Sequence, residues 1–357
     1  MKHKFIFKLS LGLAIAAVTI IVLLIAFFCR KRKRKNPNLE DNEVEFSAKE
    51  EFDTEDLISF QGGENLSVSE ILDAPGEVIG KSSYGTLYKA NLQMSNSVML
   101  LRFIRPTCTV SNDEILSAIQ LIGSIRHSNL LPLKAFYAGP RGEKLLVHPF
   151  YGFGTLAHFI REGTSDSHSW TIIYRISTGI AQGLCHLHTG LEKSIVHGNL
   201  KSGNVILDQS YQPYVADFGM HLLLNPTAAQ GMLDSSAAQG YKAPELIKMK
   251  EASEQTDIYS LGVIFLQILT GKEPINADAS HDEEIYLPNM LRNAFLDHQI
   301  SELYHQDILL NQNSDHGLIT EAQILKFFQL AMACCSPSPS LRPSIKQVIK
   351  KLEEIGK

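Results

Sequence analysis

The chain reads as an α+β protein of two lobes, a small β-rich one followed by a larger helical one, set behind a single N-terminal membrane-spanning helix. Three observations predict that order: an uncharged apolar stretch at residues 11–29, short β-like runs confined to residues 77–150, and apolar residues recurring three to four apart over most of the remainder. At 357 residues, 44% hydrophobic and 20% charged, the chain has room for a large core and a soft expectation of about two domains. Five cysteines without paired spacings do not describe a disulfide-stapled secreted module.

Taken in order, residues 1–8 form a short extracytoplasmic start and 9–29 the membrane helix. At 1.5 Å per residue, the uncharged run from 11 to 29 approaches the roughly 30 Å of a hydrocarbon core. It is too long for the apolar part of a cleaved signal peptide, and Phe27-Phe28-Cys29-Arg30 is not a small-residue cleavage site. Six consecutive bases from Arg30 to Lys35 follow it, against Lys2, Lys4 and Lys8 before it. That bias places the rest of the chain in the cytoplasm, below the plasma membrane, with the basic run seated on anionic lipid. The net charge of −5 hides this asymmetry: residues 1–35 hold nine bases and no acid, whereas 40–64 hold ten acids against Lys49 alone. A basic nucleic-acid-binding protein is excluded. Residues 30–70 read as a solvated linker, basic and then acidic, and the sequon Asn65-Leu66-Ser67 is cancelled by the cytoplasmic assignment.

The globular part runs from 71 to 356, with a first lobe at 71–148 and a second at 149–356. Strands are expected near 77–79, 85–92, 98–104 and 144–150, with a helix at 112–125 among them. In the second lobe, 170–188, 256–270, 321–334 and 345–355 have helical periodicity.

Four motifs then occur in one order: Gly80-Lys81-Ser82-Ser83-Tyr84-Gly85, His197-Gly198-Asn199-Leu200-Lys201-Ser202-Gly203-Asn204, Asp217-Phe218-Gly219 and Ala243-Pro244-Glu245. Together they resemble the bilobal protein-kinase fold. Thr86-Leu87-Tyr88-Lys89-Ala90 and Gly240-Tyr241-Lys242-Ala243-Pro244-Glu245-Leu246 are similar to plant leucine-rich-repeat receptor-like kinases, most of all to the transmembrane kinase-like, inactive-type members. The resemblance covers roughly residues 58–356, and the extracellular repeats of such receptors are expected to be absent.

The resemblance implies ATP and Mg²⁺ as ligands, held by a phosphate-covering loop, a strand lysine paired with a helix glutamate, a base, and carboxylate and amide metal ligands. Gly80 and Gly85 keep the loop, but Ser82 stands at its middle glycine. The strand position that should be lysine falls on Leu101 in the ungapped register and on Arg102 with one inserted residue. The helix glutamate becomes Ala118, with Glu114 one turn earlier, so Leu101 and Ala118 would be a coordinated apolar replacement of an ion pair. The base position is Asn199, whose amide cannot take a proton as a carboxylate would, although Lys201 remains. Asn204 and Asp217 could hold Mg²⁺, or could stay for structure with Phe218. His197, Asp257, Glu245 and Arg342 match fold residues of the family. Thr227, Ser235 and Ser236 fall in an activation-like segment and read as solvent-facing loop residues. Cys185-His186-Leu187-His188 lacks a second metal-spaced pair and is not read as a zinc site, and Cys334-Cys335 read as buried thiols.

The expectation is a catalytically impaired, membrane-anchored pseudokinase that works as a scaffold or allosteric partner of an active kinase or receptor. The alternatives are a weakly active Ser/Thr kinase that binds ATP, and a nucleotide sensor without turnover.

Overall fold

The computed structural model describes residues 56–247, 251–276, 285–310 and 320–357. The expected membrane span at 9–29, the bases from Arg30 to Lys35 and most of the acidic linker lie outside them. Among the described residues no helix is long and apolar enough to cross a membrane.

The first lobe is a six-stranded antiparallel sheet built from β1 (Asp56–Ser59), β2 (Gly76–Lys81), β3 (Gly85–Leu92), β4 (Ser97–Ile104), β5 (Ala135–Ala138) and β6 (Lys144–Pro149), in the order β1-β5-β6-β4-β3-β2. Alternation along β4 decides which residues meet the second lobe. Leu100 packs with Ile206 and Ala216 of that lobe, whereas Leu101 points the other way into a cluster with Ala90, Tyr137 and Val147.

The lobe begins earlier than residue 71. Strand β1 and helix α1 (Val68–Leu72) belong to it, because four residues are too few to display a period within so acidic a stretch. Phe60 donates its N–H to the Lys134 carbonyl at 2.8 Å, and its ring covers Gly123, where a Cβ would lie 2.1 Å from the ring edge. Gly123→Ala is therefore expected to destabilise the protein by about 1–3 kcal/mol, the usual cost of overpacking, read as a lower midpoint in urea denaturation. Gly123 lies in the last turn of helix α2 (Asn112–Ser124), whose start is closed by Glu114: its carboxylate accepts the Ser111 N–H at 3.1 Å and the Ser111 hydroxyl at 2.7 Å.

The second lobe holds α3 (Leu156–Glu162), α4 (Trp170–Thr189), α5 (Pro226–Ala238), α6 (Glu254–Thr270), α7 (Leu287–Leu296), the single turn α8 (Asp307–Leu310), α9 (Glu321–Cys334) and α10 (Ile345–Ile355). A small sheet of β7 (Gly154–Thr155), β8 (Val205–Leu207) and β9 (Pro213–Val215) lines its upper edge. Every residue of α6 from Thr256 to Thr270 is buried, which makes it the axis of the lobe. Helix α9 approaches it so closely at Gly262 that an added Cβ would sit 2.7 Å from both Cys334 and Cys335. Both thiols are free and buried, and burial pushes the Cys334 thiol up to about 12. Helix α5 has no counterpart in the periodicity, since its thirteen residues bury only Met232, Leu233 and Ser236.

Candidate nucleotide cleft

Strand register settles which side chain enters the cleft between the lobes. Leu101 lies on the outer face of the sheet, and Arg102 faces inward, where its Nη2 meets Asp217 Oδ2 at 2.9 Å. The two side chains are 12% and 7% exposed. Leu101 and Ala118 therefore do not replace an ion pair: Ala118 lines a groove under α2 with Ile195 and Leu222. No glutamate of α2 reaches Arg102, because Glu114 is committed to the helix cap. Asp217 takes up that partnership instead, from a left-handed backbone conformation with φ of 63°.

Tyr84, at the tip of the glycine-bearing loop, completes the cluster. Its hydroxyl reaches Asp217 Oδ2 at 3.5 Å and its ring lies 6.0 Å from the Arg102 guanidinium carbon. Burial, and then the Asp217 carboxylate, push the Tyr84 hydroxyl up to about 12, so it stays protonated. Burial works against the Arg102 charge, but Asp217 and Tyr84 outweigh it and hold the guanidinium charged.

The loop itself is closed by hydrogen bonds. The Ser82 N–H donates to the Gly85 carbonyl at 2.9 Å, and the Gly85 N–H donates to Ser82 Oγ at 3.1 Å. Ser82 thus uses its side chain where a glycine would leave the amide free. Gly85 is obligatory here: a Cβ would stand 2.2 Å from the Phe103 carbonyl oxygen of β4. Gly80 is under no such constraint, its would-be Cβ meeting only the Leu87 side chain at 3.6 Å. Arg105 fixes the tip from below, donating to the Ser83 carbonyl at 2.7 Å.

The slot beside this cluster is apolar. Leu100, Leu131, Ile206 and Ala216 are all buried there, with Leu87, Phe150, Tyr151 and Tyr214 around them. On β6, His148 shares the environment; burial pushes it down to about 4, and its Nδ1 is 3.0 Å from the Pro132 carbonyl oxygen.

Below the slot, Asn199 Nδ2 and Oδ1 replace a carboxylate, and Oδ1 is buried without a protein partner among the described residues. The surrounding loop is tightly held. Asp257 accepts the N–H groups of His197 at 2.7 Å and Gly198 at 2.9 Å, and His188 Nε2 lies 2.9 Å away. His197 Nδ1 accepts the Asn199 N–H at 3.3 Å, so Nε2 carries the proton and donates it to the Ala216 carbonyl at 3.0 Å. Asn204 donates to the Asn199 carbonyl at 2.9 Å. Lys201 does not reach toward the cleft unpaired, since its Nζ donates to Gln239 Oε1 at 3.1 Å, just past the end of α5. Phe218 is buried in the main core. Glu245 and Arg342 form a two-pronged pair at 2.6 and 2.7 Å.

Helix α5 is the part of this site that sequence reasoning missed. Its cap Asn225 accepts the Ala228 N–H at 3.0 Å and donates through Nδ2 to the Thr107 carbonyl at 2.8 Å, tying the segment after Asp217 to the first lobe. Gly231 then lies under the loop tip, its would-be Cβ 3.6 Å from Ser83 Oγ. Asn225-Pro226 was the available signal, a capping residue followed by proline at the first helical position. Within it Thr227 and Ser235 are exposed, whereas Ser236 is buried.

In this arrangement the Ser82 and Gly85 amides are engaged within the loop, and Asp217, the carboxylate that would face a metal, is paired with Arg102.

The comparisons with known proteins agree with this architecture. The family described as "Protein kinase domain" matches residues 74–352. The kinase-like protein TMKL1 of Arabidopsis thaliana is 37% identical over 300 residues, 84% of this chain and 44% of that protein. The leucine-rich repeat receptor-like protein kinase IMK3 of the same plant is 38% identical over 300 residues, 84% of this chain and 37% of that protein. The chain thus spans less than half the length of these curated relatives. Among solved structures, the kinase domain of maize sucrose-induced receptor kinase 1 bound to AMP-PNP superposes with a TM-score of 0.73 at 27% identity, over 85% of this chain and 100% of that one. The pseudokinase domain of BIR2, an immune regulator of the RLK/Pelle family, superposes with a TM-score of 0.64 at 28% identity, over 78% and 80%. With the motif order, the two lobes and the family match in agreement, the chain belongs to the protein kinase domain family, and its kinase domain is similar to those of plant leucine-rich-repeat receptor-like kinases.

Proposed function

We propose that this chain is a membrane-anchored receptor-like pseudokinase, which signals by offering its folded kinase body to an active kinase or receptor partner rather than by transferring phosphate. The observation that carries this reading is the 2.9 Å pair between Arg102 and Asp217, roofed by Tyr84. Phosphoryl transfer asks the protein for free cations and metal-binding carboxylates around the phosphates. Here the cation and the carboxylate neutralise each other, and a neutral amide at Asn199 stands where a base is needed. The loss of a general base alone typically costs 10²–10⁴-fold. The likeness to the BIR2 pseudokinase supports the same reading. The uncharged run at 11–29 and the bases that follow it support an anchor in the plasma membrane with the kinase body on its cytoplasmic side.

Thermal melting of the full chain in detergent, with ATP or ADP and with or without Mg²⁺, tests the proposal. No change in melting temperature is expected at millimolar nucleotide, and label transfer from ATP is expected to stay at the level of a protein-free control. A Mg²⁺-dependent rise without label transfer would replace the scaffold by a nucleotide sensor. Label transfer above the control would make the protein a weak Ser/Thr kinase.

A further inference from the structure

Two features of the kinase body match each other, and both stand open in the single chain. The first is the groove under α2, of about 760 Å³. Its α2 wall carries Asp113, Ser117 and Leu121 at four-residue intervals, one stripe of a helix. Val110, Ala118, Ile195 and Leu222 make the floor apolar. Both lobes build the groove, and backbone bonds tie them together at its edge: the Val110 N–H donates to the Leu223 carbonyl at 3.2 Å, and the Asn225 N–H to the Cys108 carbonyl at 2.9 Å. It is therefore preformed. Its acids, Asp113 and Glu114, sit in the first turn of α2, where the helix dipole favours them. Its cation, Lys193, stands on the loop that forms the facing wall, and no acid pairs with it among the described residues.

The second feature is a knob at the end of α7. Phe295, Leu296 and Ile300 are 46%, 67% and 45% exposed within six residues of chain, a concentration of bare apolar surface that scattered single side chains do not make. The chain folds back on the helix end there, the Gln299 N–H donating to the Ala294 carbonyl at 2.8 Å, so the knob keeps its shape. Asp297 caps the same helix end. An acid at a helix C-terminus lies against the negative end of the dipole, and among the described residues no base pairs with it.

We propose that the α7 knob of one copy enters the α2 groove of a second copy, with Leu296 against the apolar floor and Asp297 against Lys193. The apolar surfaces cover each other, and the cation that lacks an acid meets the acid that lacks a base. A second copy is the occupant because the chain carries both halves of the contact and uses neither within itself. The contact is head to tail: a pair leaves one groove and one knob free, so association is open-ended and does not stop at two. A knob of three apolar side chains covers little area, so the contact is weak in dilute solution. Anchoring in one membrane plane, which rests on the reading proposed above, supplies the local concentration that a weak contact needs.

The test uses the full chain, labelled at its C-terminus with a donor or an acceptor dye and reconstituted in phosphatidylcholine vesicles, with energy transfer as the readout. Flotation with the vesicles checks the anchor separately. Transfer is expected to exceed that of random mixing at the same surface density, and to fall at least about twofold in Leu296→Ser, in Lys193→Glu and in Asp297→Lys, all at exposed positions. Mixing donor-labelled Lys193→Glu with acceptor-labelled Asp297→Lys is expected to restore it, because every contact between the two variants then joins opposite charges. The proposal is overturned if transfer stays at the random-mixing level, if Leu296→Ser leaves it unchanged, as association through the membrane span would, or if the mixture transfers no more than either charge variant alone.

Discussion

Arg342→Ala is expected to lower the stability of the protein by about 3–5 kcal/mol, the cost of leaving one member of a buried pair without its partner. The Arg342 side chain is completely buried and does four things at once. It holds both oxygens of Glu245, at 2.6 and 2.7 Å, and donates to the carbonyls of Ser336 and Gln255, each at 2.8 Å. Its guanidinium also stacks 5.1 Å from the centre of the Tyr259 ring. Alanine would orphan the carboxylate and the carbonyls together and open space beside α6. At roughly 2–4 °C per kcal/mol for a domain of this order of size, the melting temperature should fall by about 10 °C. Arg342→Lys should fall between, because a point charge can keep the attraction but not the two-pronged geometry. Glu245→Gln should cost less than Arg342→Ala, since it preserves an acceptor and removes a charge at a site 13% exposed. Thermal melts of the three variants check the order, and a loss below about 1 kcal/mol in Arg342→Ala would sink it.

Most of the scaffold could be read before any coordinates, and the reason lies in how locally each element is encoded. The strands at 85–92 and 98–104 and the helix at 112–125 alternate or repeat strongly enough to be placed within a residue or so of Gly85–Leu92, Ser97–Ile104 and Asn112–Ser124. Helices 321–334 and 345–355 coincide with α9 and α10. What periodicity cannot carry is register. Leu101 and Arg102 are neighbours, so an offset of one residue sends one side chain into the cleft and the other to the outer face; motif spacing alone left both open. Helix α5 was hidden for a different reason. Its apolar side chains are mostly alanine, and its position is set by caps and by contacts to Thr107 and Ser83, which are remote in sequence. Glu114 is another kind of case: the nearest acid to the expected glutamate position, it is claimed as a cap by a serine three residues earlier.

Arg102→Leu is the second substitution with a large expected effect, and it bears directly on what closes the cleft. With the guanidinium gone, Asp217 keeps only the Tyr84 hydroxyl at 3.5 Å in a site where its side chain is 7% exposed. An ionised carboxylate so placed is uncompensated, and the single variant should lose about 3–5 kcal/mol. Asp217→Leu should be comparably costly from the other side, by leaving a buried guanidinium without its anion. The double variant should not lose the sum. Removing both charges removes both desolvation costs, and leucines can pack against Tyr84, Leu100 and Ala216, so its stability should return toward that of the parent. A double-mutant cycle from thermal or urea unfolding then yields a favourable coupling of at least about 1–3 kcal/mol between the two positions. Tyr84→Phe serves as the contrast, since it deletes one long hydrogen bond and should cost under about 1 kcal/mol. If Arg102 and Asp217 instead lost stability additively, each would be acting through its own neighbours. The pair would then not be the latch across the lobes, and the case for a cleft closed by its own charges would fall with it.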